Sequence, residues 1–308
     1  MPRGFLFIVL FFAALGHSFD TEDHLRILAS SRWQDQRAKV ALVLSGGAAR
    51  GLAHVGVLKS WQENKLPLDL IVGTSVGAIV GALYASGMDG AEIDRIIAGL
   101  NWNELIEFRV TPSRILNLNS IISSEKMGDW MFSHMGDKKF SDLKIPFLCV
   151  ACDIRTGEKI VFRDGDLIPA VRASSCIPGI FEPVEYRHRV LVDGGVVDNV
   201  PTDLALAEGA DMIVASWTGG SRWLSDSRSI IAVLTQVISV SGTVLSRRQL
   251  EKADVVIEPD LRDVSPLDLD KFAQTSEAGY DATVKKAGEI EKMFLEKTLE
   301  KIKAASDK

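Results

Sequence analysis

The sequence predicts an α/β fold, a mostly parallel sheet covered by helices, and three observations carry the prediction. Val40 to Leu44 is a short apolar run of strand length, and Leu68 to Val72 is another apart from Asp69, as expected of strands buried on both faces. Each run enters a glycine-containing turn, Ser45-Gly46-Gly47-Ala48-Ala49-Arg50-Gly51 and Gly73-Thr74-Ser75-Val76-Gly77. Each turn is followed by a run of helical character: Leu52, Val55 and Leu58 share a face, and Ala78 to Ala85 are small or apolar. The order β-loop-α-β-turn-α is that of a parallel sheet with crossover helices.

Ahead of the first strand, Arg3 precedes an uncharged apolar run, Phe5 to Leu15, and then small residues that allow cleavage after Gly16 or Ser18. This pattern predicts a signal peptide over 1–18 and an exported chain, periplasmic or secreted. The run is far shorter than the ~20 apolar residues that cross a bilayer as a helix. A charged helical lead-in follows over 19–39.

Beyond the second turn, Ala91 to Leu100 continues as helix. Asn101 to Lys144 then mixes Trp102, Phe108, Trp130 and Phe132 with turn formers and shows no steady period. It reads either as a cap over the active site or as an ordinary packed excursion. Phe147 to Ile154 is a strand, Arg155 to Glu158 a turn, and Lys159 to Phe162 its hairpin partner. Leu167 to Ala173 is a helix ended at Ile177-Pro178-Gly179. Val190-Leu191-Val192 is a strand running into Asp193-Gly194-Gly195. Pro201 opens a helix at the position where a missing N–H costs nothing. Met212 to Ala215 is a strand, Ile230 to Gln249 a helix, Val255 to Ile257 a strand, and Ala278 to Lys303 a charged amphipathic helix. No repeat or linker interrupts this order, so 40–215 is expected to form a core with 216–308 as the helical remainder of the same domain.

At 308 residues and 46% hydrophobic composition the chain can build a large core. Its 35 basic and 41 acidic residues are spread evenly and sum to −6, which points away from nucleic acid as a partner. Three cysteines make no disulfide framework. Cys149 and Cys152 fall on opposite faces of one strand, so they read as buried thiols, with a bond from either to Cys176 left open.

Ser75 lies in the sole G-x-S-x-G, between strand and helix, where a serine hydroxyl is exposed at a helix N-terminus. A nucleophile there needs a base. Of the histidines at 17, 24, 54, 134 and 188, only His134 and His188 follow Ser75, and neither sits in a glycine-flanked loop late in the chain. Asp193 ends a strand and is followed by two glycines, which aims its carboxylate at a loop surface; taken alone, these residues read more readily as a common Asp-Gly turn without chemistry. Gly46-Gly47-Ala48 supplies successive N–H groups suited to an oxyanion. Arg50 is followed by Gly51 where a P-loop needs Lys-Ser/Thr, and Ala48 stands where a dinucleotide fingerprint needs glycine. Arg50 therefore holds a phosphate or braces the loop.

Taken together, Leu44 to Gly51 with His54-Val55-Gly56-Val57-Leu58, then Gly73 to Ala78, then Asp193-Gly194-Gly195 with Asn199 and Pro201, resemble the patatin-like phospholipase family. Asp153 with Thr156-Gly157, and Ala173-Ser174 with Ile177-Pro178, add to the likeness, which covers roughly 40–215. The resemblance implies a three-layer α/β/α fold and a Ser75–Asp193 dyad without histidine. It further implies an oxyanion hole from Gly46, Gly47 and Ala48, phospholipid or another fatty-acyl ester as substrate, peripheral membrane contact, and no metal or organic cofactor. The family's usual third glycine is Ala48 here, so the first two amides are the expected donors. The alternatives are a lipid-binding or regulatory protein on this fold, and a Ser-His-Asp esterase using His188. The aromatic residues of 101–144, with Trp217 and Trp223, are candidates for an acyl channel or a membrane contact.

Overall fold

The computed structural model describes residues 36–102, 123–219 and 230–306. The expected signal peptide, most of the lead-in, the middle of the 101–144 excursion and Trp223 lie outside the described residues. The chain divides into two compact units, Lys39–Ile290 and the paired segments Met1–Ala38 and Glu291–Lys308. Residues 216–290 thus stay with the core, and 291–308 go with the N-terminal segment. In the smaller unit the Ala38 N–H donates to Thr298 Oγ1 at 3.0 Å, and the Arg37 guanidinium lies 5.9 Å from the Phe294 ring centre.

In chain order the elements are β1 (Val40–Leu44), α1 (Ala53–Glu63), β2 (Leu70–Thr74), α2 (Val76–Ala85), α3 (Gly90–Ala98), α4 (Glu125–Met135), β3 (Phe147–Asp153) and β4 (Lys159–Phe162). There follow α5 (Leu167–Ser174), β5 (Val184–Tyr186), β6 (Arg189–Asp193), α6 (Thr202–Ala207), β7 (Met212–Ser216), α7 (Ile230–Leu250), β8 (Val255–Ile257) and α8 (Phe272–Ser306). A 3-10 turn, Ala48–Leu52, leads into α1.

The eight strands form one sheet in the order β5-β6-β3-β2-β1-β7-β8, with β4 on β3. β3, β2, β1, β7 and β8 run parallel, and β4, β5 and β6 pair antiparallel. Every residue of β1, β2 and β7 is buried, which requires cover on both faces. On one face Ala41, Val43, Val72 and Val150 join Val200, Leu204 and Ala205 at α6. On the other, α2 comes so close that a side chain at Gly81 would touch Ile71, Phe147 and Leu44. The result is the expected three-layer α/β/α arrangement.

Three differences from the sequence reading have physical causes. β2 starts at Leu70 because the Asp69 carboxylate is used to accept the Val40 N–H at 2.8 Å, and the parallel register begins at Ala41 opposite Leu70. Part of the aperiodic stretch is the regular helix α4. Its buried Met127, Met131 and Met135 recur every fourth residue, a stripe too narrow to stand out among the polar residues between them. α8 begins at Phe272, before the expected Ala278: Thr275 donates its hydroxyl to the Lys271 carbonyl one turn back, so polar residues that read as loop are helical. Trp217, a candidate for an acyl channel or membrane contact, is partly buried and packs against the apolar cluster around Ala41 and Ile213.

Candidate active site

The register of β3 explains how residues far apart in sequence meet. β4 takes one edge of β3 from Cys149 to Cys152, so β2 and β6 must share the other. β2 runs parallel and ends with Thr74 opposite Val150. β6 runs antiparallel and ends with Asp193 opposite Ala151. Two strand ends therefore abut head to head, and the hydroxyl of Ser75, just beyond β2, faces the carboxylate of Asp193, the last residue of β6. Ser75 Oγ donates to Asp193 Oδ2 at 2.5 Å.

Ser75 sits at φ 57°, ψ −128°, a left-handed conformation that a residue with a side chain reaches only at a cost of about 1–3 kcal/mol. Its surroundings hold it there. The Ser75 N–H donates to Ser174 Oγ at 3.2 Å, and Ser175 Oγ donates to the Ser75 carbonyl at 3.0 Å, so the end of α5 grips the nucleophile's own peptide. The same carbonyl accepts the Ala78 and Ile79 N–H groups of α2.

Asp193 is 4% exposed. Its Oδ1 accepts the Gly195 N–H at 2.7 Å, and its own N–H donates to the Cys176 carbonyl at 2.9 Å. Burial pushes its pKa up to about 6; the hydrogen bonds from Ser75 and Gly195 pull the other way and offset only part of the rise. A carboxylate of that strength is ionised at neutral pH and is a better base than an ordinary aspartate.

No histidine among the described residues reaches this pair. His54 is fully buried, its Nδ1 against Ser216 Oγ at 2.9 Å and its Nε2 against the Ser45 carbonyl at 2.8 Å; burial lowers its pKa to about 4, so it is neutral and both nitrogens are occupied. His134 contacts Trp130 and Ser133 on α4. His188 is at the exposed β5–β6 hairpin tip, the length of β6 away from Asp193, about 16 Å at strand rise.

The loop after β1 lies against the nucleophile: a Cβ at Gly46 would stand 3.1 Å from Ser75 Cβ and 2.7 Å from Asn199 Oδ1. Its donors differ from expectation. The Gly46 N–H is taken by the Asn199 carbonyl at 3.2 Å, which corrects Gly46 as an oxyanion donor. Gly47 and Ala48 keep their N–H groups without a partner among the described residues. Ala48 adopts φ 49°, the conformation a glycine would take more cheaply. Thr218 fixes the loop from β7's end, its hydroxyl donating to the Gly46 carbonyl at 3.1 Å and its N–H to Ser45 Oγ at 3.1 Å.

Arg50 is buried, with Nε and Nη2 unpartnered among the described residues; burial lowers its pKa and the Glu258 carboxylate opposes this. The three cysteines are free thiols. Burial pushes Cys176 up to about 12, with the Asp193 charge adding to it, so this thiol beside the dyad stays protonated.

A family model, Patatin-like phospholipase, matches residues 42–206, which contain the loop after β1, Ser75 and Asp193. The chain belongs to the patatin-like phospholipase family. Patatin-like phospholipase domain-containing protein 6 of Homo sapiens is 32% identical over 230 residues, 73% of this chain and 16% of that protein. Lysophospholipase NTE1 of Candida glabrata is 28% identical over 268 residues, 79% of this chain and 16% of that protein. This patatin-like chain thus spans about a sixth of the length of these relatives. Human GIVD cytosolic phospholipase A2 shares the fold with a TM-score of 0.56 at 11% identity, over 91% of this chain and 63% of that one. VipD from Legionella pneumophila does so with a TM-score of 0.54 at 16% identity, over 82% and 67%.

Sequence reasoning missed the groups that hold the dyad in place: Ser174, Ser175, the Asn199 carbonyl and Thr218. Ser174 and Asn199 lie inside the family-like motifs, but nothing local assigns Ser174 a contact 99 residues away or Asn199 one over 150 residues away.

Proposed function

We propose that the protein is a lipid acyl hydrolase that cleaves fatty-acyl esters, phospholipid among them, through an acyl-enzyme on Ser75. The observation that carries this reading is the buried 2.5 Å hydrogen bond from Ser75 to an aspartate whose basicity burial has raised. Ser75 Oγ attacks the ester carbonyl carbon while its proton passes to Asp193 Oδ2. The carbonyl oxygen becomes an oxyanion held by the Gly47 and Ala48 N–H groups. Collapse expels the alcohol, which takes the proton from Asp193. A water, deprotonated by Asp193, then attacks the acyl-serine; the fatty acid leaves and Ser75 recovers its proton.

A fluorophosphonate probe incubated with the protein is expected to form one adduct, located by peptide mapping on Ser75, and to stop fatty-acid release from a phospholipid panel. Protein that stays unlabelled and releases no acid would instead be a binding protein on this fold. The reading includes export through the leader at 1–18. Protein recovered outside the cytoplasm is expected to begin near His17 or Phe19, and an N-terminus still at Met1 would refute it.

A further inference from the structure

We infer that the outer face of α7 is the surface by which the protein seats on a phospholipid bilayer. The inference rests on the lipid acyl hydrolase reading and names where such an enzyme meets its substrate.

α7 has two faces with different tasks. The inner face is tied to the catalytic loop. Asn199 Nδ2 donates to Ser246 Oγ at 3.1 Å, Gln249 Nε2 donates to Asp198 Oδ1 at 2.7 Å, and the Val200 N–H donates to Gln249 Oε1 at 2.9 Å. A side chain at Gly242 would stand 3.7 Å from Asn199. The carbonyl of that same Asn199 fixes Gly46 beside the nucleophile. The helix is therefore part of the rim of the site.

The outer face is apolar and open to solvent. Val233, Val237, Val240 and Val244 follow at steps of four, three and four, with Leu245 beside them, and all are exposed, Val244 by 61%. The stripe runs about 16 Å along the helix. Buried valines need no explanation; a row of exposed ones on one helix face does.

Charge decides among occupants. The chain carries −6 overall, yet residues 230–250 contain no Asp or Glu, and the helix ends in the exposed pair Arg247 and Arg248. An acid-free apolar stripe with arginines at one end fits a surface that is hydrocarbon beneath and phosphate above. A second copy fits less well: five partly exposed side chains offer a few hundred Å², short of the ~800 Å² per partner that a stable dimer buries. Among the described residues no helix is long and apolar enough to cross a membrane, so α7 would lie in the interface plane.

The test is co-sedimentation of the full chain with vesicles of equal parts phosphatidylcholine and phosphatidylglycerol. Wild type is expected to bind. Val237→Gln with Val244→Gln, which keeps helix propensity, is expected to lower vesicle partitioning and hydrolysis of vesicle phospholipid at least about tenfold. Hydrolysis of a soluble short-chain ester should stay within about twofold, since neither valine touches the site. Arg247→Gln with Arg248→Gln should weaken binding to these vesicles more than to phosphatidylcholine alone. Unchanged binding by the valine variant, with helix content intact, would overturn the inference. So would a wild-type dimer that the variant dissociates. If binding follows α7 while no form cleaves the soluble ester, the surface stands and the hydrolase reading falls.

Discussion

Asp193→Asn is expected to lower kcat for fatty-acyl ester hydrolysis by about 10³-fold, the range in which loss of a positioned base falls. Asparagine keeps the shape of the side chain and can still accept the Gly195 N–H, but it cannot take a proton from Ser75. In the wild type, kcat/KM should fall as pH drops through about 6, where Asp193 becomes protonated, and the residual activity of the variant should lack that inflection. Adding Ser75→Ala to Asp193→Asn should cost no more than Ser75→Ala alone, because the two groups act as one unit. Stability supplies a readout that misfolding would not mimic. Burial lifts this carboxyl from 3.8 to about 6, so between those values the folded chain holds more protons than the unfolded one. Its stability therefore declines as pH rises through that window, and above it the ionised buried group costs about 3 kcal/mol at most. Asp193→Asn should then melt higher than wild type at pH 8, with the gap closing toward pH 4. A variant with full activity would dismiss Asp193 as the base, and one less stable than wild type at every pH would dismiss the raised pKa.

The meeting of Ser75 with Asp193 shows what this sequence carries and what it leaves to the fold. Strands β1, β2, β7 and β8 are visible because each is built on three or more consecutive apolar residues. Ser75 and Asp193 are visible because glycines mark both turns. Their pairing is not visible: it depends on β2 and β6 sharing one edge of β3, a fact of register that no local pattern records. Chain order set aside His54, which precedes Ser75, and the structure disqualifies it independently through its two occupied ring nitrogens. His134 and His188 follow Ser75 and passed that filter; they lie on α4 and at the β5–β6 hairpin tip. Gly46 failed as an oxyanion donor for the same reason that the pairing is not visible. Gly46 looks as able to donate as Gly47 until the Asn199 carbonyl, over 150 residues away, is found on its N–H.

Gly77→Ala is expected to destabilise the fold by roughly 3 kcal/mol or more and to remove most activity, although alanine is the better helix former. A Cβ at Gly77 would stand 2.4 Å from the Leu44 carbonyl oxygen and 2.6 Å from that of Ser45. Both are backbone atoms at the end of β1, so neither can rotate aside. The only relief is to move α2 away from the sheet or to push the 45–48 loop outward. The first movement releases Ser75 from its left-handed conformation, which close contact with α2 and α5 sustains. The second displaces the Gly47 and Ala48 N–H groups. Either way nucleophile and oxyanion donors lose register together, so activity should fall further than stability alone accounts for. Gly288→Ala, on α8 with nothing within 4 Å of the added carbon, is the matched control and should raise stability by up to about 1 kcal/mol without touching activity. Urea midpoints and ester hydrolysis measured on both variants separate the two effects. A Gly77→Ala protein with the wild-type midpoint and rate would mean that the elbow does not press on β1, and that the strain at Ser75 is held by the serines of α5 alone.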